Sequence, residues 1–334
     1  MSKEIIKQIP LTVLDLVPAL EGQTAQKGIQ NSLELAQHVE NLGFNRFWIS
    51  EHHNTRSLLS SATAILMGYI AQSTQKIRIG SGGIMLPNHA PLIVAEQMGT
   101  LATLYPDRID LGLGRAPGTD QLTAKALRRE RIETVHDFPR DIQELQFYFD
   151  KPHPEARVRA IPGEDTHIPI YILGSSTYSA QLAAALGLPY AFASHFAPTY
   201  LMEALELYRE NFKASKQTQK PYTMAGVNVV IAETDEEAQF LATSSYIFKL
   251  NIIRNIREPL TPPIKSMDNI WNLAEEAHVK NMSKYSFIGS QETVYKKLCD
   301  FIEMTGVDEL IVSSYIYDQQ KKLQSFKWLK ELQK

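Results

Sequence analysis

Four short stretches of the sequence hold residue types that could take part in chemistry. The first is Trp48–Asn54 (WISEHHN), where an apolar run gives way to Glu51, His52 and His53. A histidine ordinarily titrates near neutrality, so one placed here could act as a general acid or base. Two structural alternatives stay open: Glu51 as a buried hydrogen-bond acceptor, and a histidine that only caps the loop.

A metal site at this stretch is not expected. Adjacent histidines point in different directions on an extended chain, and the sequence has neither an HExxH helix motif nor an evident third ligand. We therefore predict that the protein binds no metal here.

The second stretch is Ile79–His89 (IGSGGIMLPNH), which contains the pair Gly82 and Gly83. Glycine removes the Cβ where a flat ligand or another backbone must come close. Tight packing at the corner of a barrel would favour glycine equally well. His89 precedes a helix that starts with proline and is interpreted as a loop residue.

The third stretch, Asp110–Gly118 (DLGLGRAPG), has several glycines but does not complete a dinucleotide fingerprint, because Pro117 stands where that motif needs glycine. What remains is Arg115 at the end of a predicted strand. Its guanidinium could bind a phosphate or a flavin-like carbonyl through charge-assisted hydrogen bonds.

The fourth stretch, Tyr171–Ala180 (YILGSSTYSA), is a strand, a glycine, hydroxyl residues and then a helix. Free N–H groups at a helix N-terminus, together with Ser175, Ser176 and Ser179, could hold an anion. A serine in this position could equally be a helix cap. With Arg115 at a second strand end, the pattern favours a phosphate-bearing cofactor.

These stretches fall at the ends of strands in a regular alternation of strands and helices. Eight strands are predicted: Leu11–Leu16, Arg46–Ser50, Ile77–Gly83, Ile109–Leu113, Ile168–Leu173, Tyr190–Ser194, Ala225–Ala232 and Glu309–Ser313. The alternation has no linker or break in composition, so it predicts an α/β protein with a single (β/α)8 TIM barrel over residues 1–334 rather than a doubly wound open sheet. Such a barrel carries its site at the C-terminal ends of the strands.

Two segments interrupt the alternation and are predicted to be insertions. One is Ala116–Pro139 after strand 4, with His153–Pro169 behind it, and the other is Ile252–Phe287, between strands 7 and 8. Long loops of this kind are commonly lids or binding loops.

Composition narrows the class of partner. The chain has 334 residues and a net charge of -3, so no extended positive field is available for nucleic acid or an anionic membrane. Its apolar runs are shorter than the roughly 18 residues of a membrane span, and its first residues do not resemble a signal peptide. Cys299 is the single cysteine, which excludes an intramolecular disulfide. We expect a cytoplasmic protein with a small-molecule substrate.

Taken together, the four stretches resemble the bacterial luciferase-like, flavin-dependent monooxygenase family. The likeness runs from about Leu14 to the last helix, and its motifs are Phe47–His53, Ile79–Pro87, Arg108–Arg115 and Leu173–Ser176. A likeness to an uncharacterised subgroup of this family is carried by Ser81–His89, Arg115–Gly118 and Ala193–Pro198.

The resemblance implies a (β/α)8 barrel that binds FMN, reduced by a separate flavin reductase, or in some branches the deazaflavin F420. Family members are typically homodimers, and the oxygenases among them form a flavin C4a-hydroperoxide with O2 that oxidises a small substrate such as an aldehyde. The flavin supplies the redox chemistry, while the protein supplies orientation and a dry site. A two-component monooxygenase is therefore expected. An F420- or NAD(P)H-linked hydride-transfer enzyme and a non-catalytic flavin-binding protein are the alternatives.

The resemblance also implies roles for individual residues. His52 takes the place of the active-site histidine near the flavin. Residues matched to cofactor binding are Gly82 and Gly83 under the isoalloxazine ring, often with a non-prolyl cis peptide, Arg115 at the flavin, and Gly174, Ser175, Ser176 and Ser179 at the phosphate.

Some positions depart from the family pattern or have no role in it. Ser175 stands where the light-emitting members carry glutamate, which argues against light emission. His195 follows the sixth strand and has no family role, and it is assigned with Glu51 and His53 to the substrate pocket.

Overall fold

The computed structural model describes residues 5–116, 119–127 and 137–334. Part of the first predicted insertion, including Pro117 and Gly118, lies outside the described residues.

Eight parallel strands close into a barrel, as predicted. The strands of the sheet are β1 (Leu11–Asp15), β2 (Arg46–Ile49), β3 (Arg78–Met85), β4 (Ile109–Gly114), β5 (Ile170–Gly174), β6 (Tyr190–Phe192), β7 (Thr223–Ile231), β8 (Ser286–Gly289) and β9 (Glu309–Ser313). Strands β1 to β7 pair in chain order, β7 pairs with β9, and β9 pairs with β1. Strand β8 lies outside this ring and pairs with the second half of β7.

Helices follow the strands around the outside. They are α1 (Ile5–Gln8), α2 (Ala25–Asn41), α3 (Thr63–Gln72), α4 (Pro91–Leu104), α5 (Gln121–Leu127), α6 (Asp137–Phe149), α7 (Thr177–Leu186), α8 (Leu201–Asn211), α9 (Asp235–Ile253), α10 (Leu273–Met282), α11 (Gln291–Thr305) and α12 (Gln319–Glu331). Within the described ranges, no helix has the length and apolar character that crossing a membrane requires.

Buried ion pairs fill the end of the barrel where the strands begin. Asp110 accepts hydrogen bonds from Arg46 at 2.8 Å and Arg78 at 2.6 Å, and Arg46 also reaches Glu309 at 3.2 Å. Both carboxylates are fully buried, so each needs such a partner to offset its desolvation. This end is closed by structural charges, which leaves the opposite end for a site.

The second predicted insertion contains more regular structure than its prolines suggest. Helix α10 starts at a capping box in which the Asn272 side chain accepts from the Glu275 backbone and the Glu275 side chain accepts from the Asn272 backbone. Strand β8 follows it, at the end of the segment predicted to be an insertion. This ninth strand is missed by the sequence pattern because it is short and pairs only with the extension of β7.

Candidate active site

The candidate residues gather at the C-terminal ends of the barrel strands, because parallel strands all end on one side. His52 follows β2, the pair Gly82 and Gly83 lies in β3, Arg115 follows β4, Gly174 ends β5, and His195 follows β6.

His52 is held on one side of its ring only. Its Nδ1 lies 3.1 Å from the Ser50 hydroxyl oxygen, which in turn lies 3.0 Å from that of Ser60. In the described part of the chain, Nε2 of His52 has no hydrogen-bond partner. Burial lowers the pKa of His52 to about 4, although the nearby Glu51 carboxylate opposes the shift. The ring is therefore neutral at pH 7, with one nitrogen oriented and the other available to a ligand.

Glu51 is buried and accepts several hydrogen bonds. His53 Nε2 and His89 Nε2 each lie 2.9 Å from Oε1, the Met85 backbone N–H donates at 3.1 Å, and the Asn88 amide donates at 3.3 Å. Burial raises the pKa of Glu51, but the hydrogen bond from His89, supported by His53 and Asn88, brings it below its usual range. Glu51 thus acts as the buried acceptor that the sequence left open. Its place in the substrate pocket, and that of His53, stays a prediction.

The same cluster supplies a third ligand that the sequence does not reveal. The Glu51 carboxylate and the ring nitrogens of His53 and His89 lie within 4.8 Å of one another, which is a spacing that could hold a metal ion. The expectation that a third ligand is missing is therefore wrong, because His89 comes from the next strand end. The absence of a metal itself stays a prediction.

The glycines of β3 pack closely against neighbouring strands. The Gly82–Gly83 peptide bond is cis. A Cβ on Gly82 would lie 2.6 Å from the Leu14 side chain, and a Cβ on Gly83 would lie 2.8 Å from the Gly112 carbonyl oxygen. Packing alone thus opposes a larger residue at Gly83, where the neighbour is backbone, whereas the Leu14 side chain beside Gly82 can adjust. Contact with a flavin ring stays a prediction.

Arg115 lies against the start of helix α7. Its guanidinium carbon is 4.3 Å from the centre of the Tyr178 ring, and Tyr178 belongs to the first turn of that helix. No carboxylate within the described ranges pairs with Arg115. The structure thus brings together the Arg115 guanidinium and the N-terminus of α7, two groups that can bind an anion and that the sequence places after separate strands.

Two of the three candidate serines make contacts within the protein. Ser176 is the N-cap of α7 and accepts from the Ser179 backbone N–H. The Ser179 hydroxyl donates to the Ser176 carbonyl at 2.7 Å and lies 3.1 Å from the Tyr190 hydroxyl. A Cβ on Gly174 would overlap Ser179. The Ser175 hydroxyl and the free N–H groups of the first turn therefore remain as donors for an anion.

His195 is buried at the end of β6. Its Nδ1 has no partner in the described structure, while its carbonyl accepts from the Asn228 side chain at 2.6 Å. A Cβ on Gly226 would overlap the ring, so β7 approaches it closely. Burial, followed by the nearby charges of Lys249 and His52, lowers the pKa of His195 to about 3. The structure therefore places His195 near His52.

Sequence reasoning missed two residues of this region. Asn228 in β7 accepts from the Ser313 hydroxyl at 2.7 Å and joins β9 to the loop after β6. Lys249 in α9 is 2% exposed. Each could have been noticed as a polar residue in an apolar run, Val227–Ile231 (VNVVI) for Asn228 and Tyr246–Ile253 (YIFKLNII) for Lys249.

A sequence profile of the family described as luciferase-like monooxygenase matches residues 12–309. The chain belongs to this family. Its relatives include the uncharacterized protein YvbT of Bacillus subtilis, 49% identical over 100% of this chain and 99% of the relative. A luciferase-like monooxygenase of Escherichia coli K12 is 47% identical over 96% of each chain. The N-acetyl-S-alkylcysteine monooxygenase of B. subtilis is 43% identical over 55% of this chain and 57% of its own.

Solved structures support the same family fold. Apo-MsnO8 is 36% identical to this chain, with a TM-score of 0.90 over 97% of this chain and 98% of its own. The oxygenating constituent of 3,6-diketocamphane monooxygenase of Pseudomonas putida, in complex with FMN, is 18% identical, with a TM-score of 0.71 over 97% of each chain. An F420-dependent secondary alcohol dehydrogenase is 16% identical, with a TM-score of 0.71 over 98% of this chain and 99% of its own. The last two likenesses show the fold alone.

Proposed function

We propose that this chain is the oxygenase of a two-component monooxygenase, which receives reduced FMN from a separate flavin reductase and uses O2 to oxidise a small organic substrate. The observation that carries the proposal is the guanidinium of Arg115 against the first turn of α7. A cation beside a helix N-terminus and the free Ser175 hydroxyl fits a phosphate-bearing cofactor. The FMN complex of the camphane monooxygenase supports FMN as that cofactor.

Bound reduced FMN would supply the electrons that activate O2. The chain's own residues would orient it: Arg115, Ser175 and the α7 backbone at the phosphate, and the Gly82–Gly83 backbone beneath the ring. His52, neutral and with Nε2 free, would accept or donate a proton at the reacting atoms. His195 is buried and His52 is half-buried, so a bound cofactor would lie in a site that is partly shielded from water.

A hydride-transfer oxidoreductase that uses F420 is the second candidate, because a structure with the same fold binds F420. Such an enzyme would reduce or oxidise its substrate without consuming O2. An NAD(P)H-linked enzyme would also leave O2 unconsumed, and a non-catalytic flavin-binding protein would bind cofactor without turnover.

One relative is named N-acetyl-S-alkylcysteine monooxygenase. S-alkylated cysteines are therefore suitable first substrates for a test of the proposed monooxygenase.

We also propose that the protein is a homodimer. Helices α3 and α4 pack together and expose large apolar side chains. Ile65 is 73% exposed and Tyr69, one turn later on the same face of α3, is 41% exposed, while Leu104 of α4 is 63% exposed. Exposed apolar groups on neighbouring helices suit burial against a second copy. A cytoplasmic location stays a prediction.

The proposed cofactor site can be tested by anaerobic titration with reduced FMN, followed through flavin fluorescence. We expect saturable binding to the wild-type protein. Arg115→Ala should weaken it by about 1.5–3 kcal/mol, the range for a hydrogen bond to a charged group. Arg56→Ala is the matched control, because Arg56 is a surface residue paired with Glu258. Binding of F420 in place of FMN would favour the second candidate, and binding of neither would refute both.

A further inference from the structure

The Glu51 carboxylate differs in its partners from the buried carboxylates at the other end of the barrel. Asp110 and Glu309 each pair with an arginine, whereas the partners of Glu51 among the described lysines, arginines and histidines are two histidines. Glu51 is 1% exposed. Burying a carboxylate is costly, and hydrogen bonds from neutral groups offset less of that cost than a cation does. The surroundings of Glu51 therefore favour a bound cation.

Two histidine rings converge on this carboxylate. Nε2 of His53 lies 2.9 Å from Oε1 of Glu51, and Nε2 of His89 lies 2.9 Å from Oε1 and 3.0 Å from Oε2. The three ligand atoms all lie within 4.8 Å of one another. The ring of His52 faces Ser50 instead, so the two adjacent histidines do point in different directions. Only one of that pair belongs to the cluster, and the second ring comes from the loop after β3.

The spacing of the cluster is close to that of a metal site. A tetrahedral ion about 2.1 Å from each ligand atom holds those atoms about 3.4 Å apart, so the two rings need to withdraw from Glu51 by only about 0.5 Å. The Glu51 side chain is 2% exposed, that of His53 12% and that of His89 28%. The cluster is thus closed on the glutamate side and open beside His89, where an ion can enter and keep a water ligand.

Backbone and amide groups hold the carboxylate in place independently of the two rings. The Met85 N–H donates to Oε2 of Glu51 at 3.1 Å, and the Asn88 amide donates to Oε1 at 3.3 Å. Carboxylates that bind metals are commonly oriented by hydrogen bonds of this kind. A carboxylate has about four lone-pair positions, so these two bonds leave room for an ion.

We propose that Glu51, His53 and His89 bind a divalent transition-metal ion such as Zn²⁺. Two imidazoles and one carboxylate, with a further position open to water, are a ligand set that suits zinc, whereas Mg²⁺ and Ca²⁺ prefer oxygen ligands. This inference replaces the prediction from sequence that no metal binds here. The ion offsets the buried charge of Glu51 and joins the loop after β2 to the loop after β3, on either side of His52 in the chain.

Titration of the tag-free, full-length protein with Zn²⁺ tests the site. The protein is first treated with EDTA and exchanged into chelator-free buffer, and no flavin is added, so the result does not depend on the proposed function. We expect calorimetry to show saturable binding of one ion per chain, with a rise in Tm because the ion binds the folded state. His89→Gln should weaken the binding at least about tenfold, since even the loss of a group that supports a metal ligand has an effect of this size.

His167→Gln is the matched control. His167 Nε2 lies 3.0 Å from Oδ1 of Asp165, an exposed histidine–carboxylate pair to which the described residues add no third ligand. This variant should bind Zn²⁺ as the wild-type protein does.

Glu51→Gln keeps the shape of the side chain, removes its charge and should also weaken binding. If this buried substitution prevents folding, His89→Gln, at a partly exposed position, still decides the question. Wild-type protein without saturable Zn²⁺ binding, or His89→Gln protein with the wild-type affinity, would overturn the proposal. An equal loss of affinity in His167→Gln would overturn it too, because it would place the ion at the surface.

Discussion

Neutral His52 should make the stability of the protein depend on pH. Its pKa is about 4 in the folded protein against an ordinary 6.5. The unfolded chain therefore takes up the proton first as the pH falls. The stabilisation is fully present above about pH 6.5 and is lost as the pH falls towards 4, by up to about 1.4 kcal/mol per pH unit.

Replacing the His52 ring with a side chain that does not titrate isolates its contribution to the pH dependence of stability. In urea unfolding at pH 7 and pH 5, the wild-type protein should lose more free energy of unfolding on acidification than His52→Gln does. His278→Gln, which alters an exposed histidine of α10, should follow the wild-type protein. Wild-type and His52→Gln curves that stay parallel would mean that the ring is not buried in its neutral form.

Single residues show how far sequence reasoning could go. The alternation of residue types placed His52, Arg115 and Ser175 at strand ends, because local patterns determine where strands stop. The sequence could not distinguish Glu51 as an acceptor from Glu51 as a pocket residue, since its partner His89 lies far along the chain. Nor could it connect Asn228 to His195 and Ser313, because these partners lie 33 and 85 residues away along the chain.

The strand β3 provides a test at the scale of elements. Gly83→Ala would place a Cβ 2.8 Å from the Gly112 carbonyl oxygen, and a backbone atom cannot move aside without shifting β4. We expect a loss of about 1–3 kcal/mol in the free energy of unfolding, as for overpacked cores, together with weaker FMN binding.

Gly68→Ala in α3 is the comparison for this substitution. Its Cβ would lie 3.3 Å from the Leu101 side chain, which can adjust, and alanine favours a helix by up to about 1 kcal/mol over glycine. This variant should be nearly neutral and should keep its affinity for FMN. Equal stability of the two variants in urea unfolding would contradict the packing account of β3.

Element boundaries were predicted less well than element types. Strand β3 ends at Met85, two residues past the predicted Gly83, because Met85 still pairs with Gly114 of β4. Strand β8 was missed because it has only four residues, at the end of the segment interpreted as an insertion. The eight barrel strands were found because each is an apolar run between helices of clear period.

At the scale of the molecule, the exposed apolar groups of α3 and α4 predict association. Ile65→Glu should shift the sedimentation of the protein from dimer to monomer, since a charge on that face would be buried unpaired in the dimer. Ile252→Glu, on an exposed apolar residue of α9, should not. A wild-type monomer, or a dimer in the Ile65→Glu protein, would contradict this interface.

The sequence also predicts that residues 1–334 form a single domain, and this stays a prediction.

The central claim is that the barrel uses bound reduced FMN to activate O2. The most direct test mixes the anaerobic complex of protein and reduced FMN with oxygenated buffer and follows absorbance by stopped flow. We expect a transient species, distinct in its spectrum from both reduced and oxidised FMN, that decays more slowly with the protein than in free solution because the site excludes water. Direct conversion to oxidised FMN at the rate of free flavin would contradict the claim.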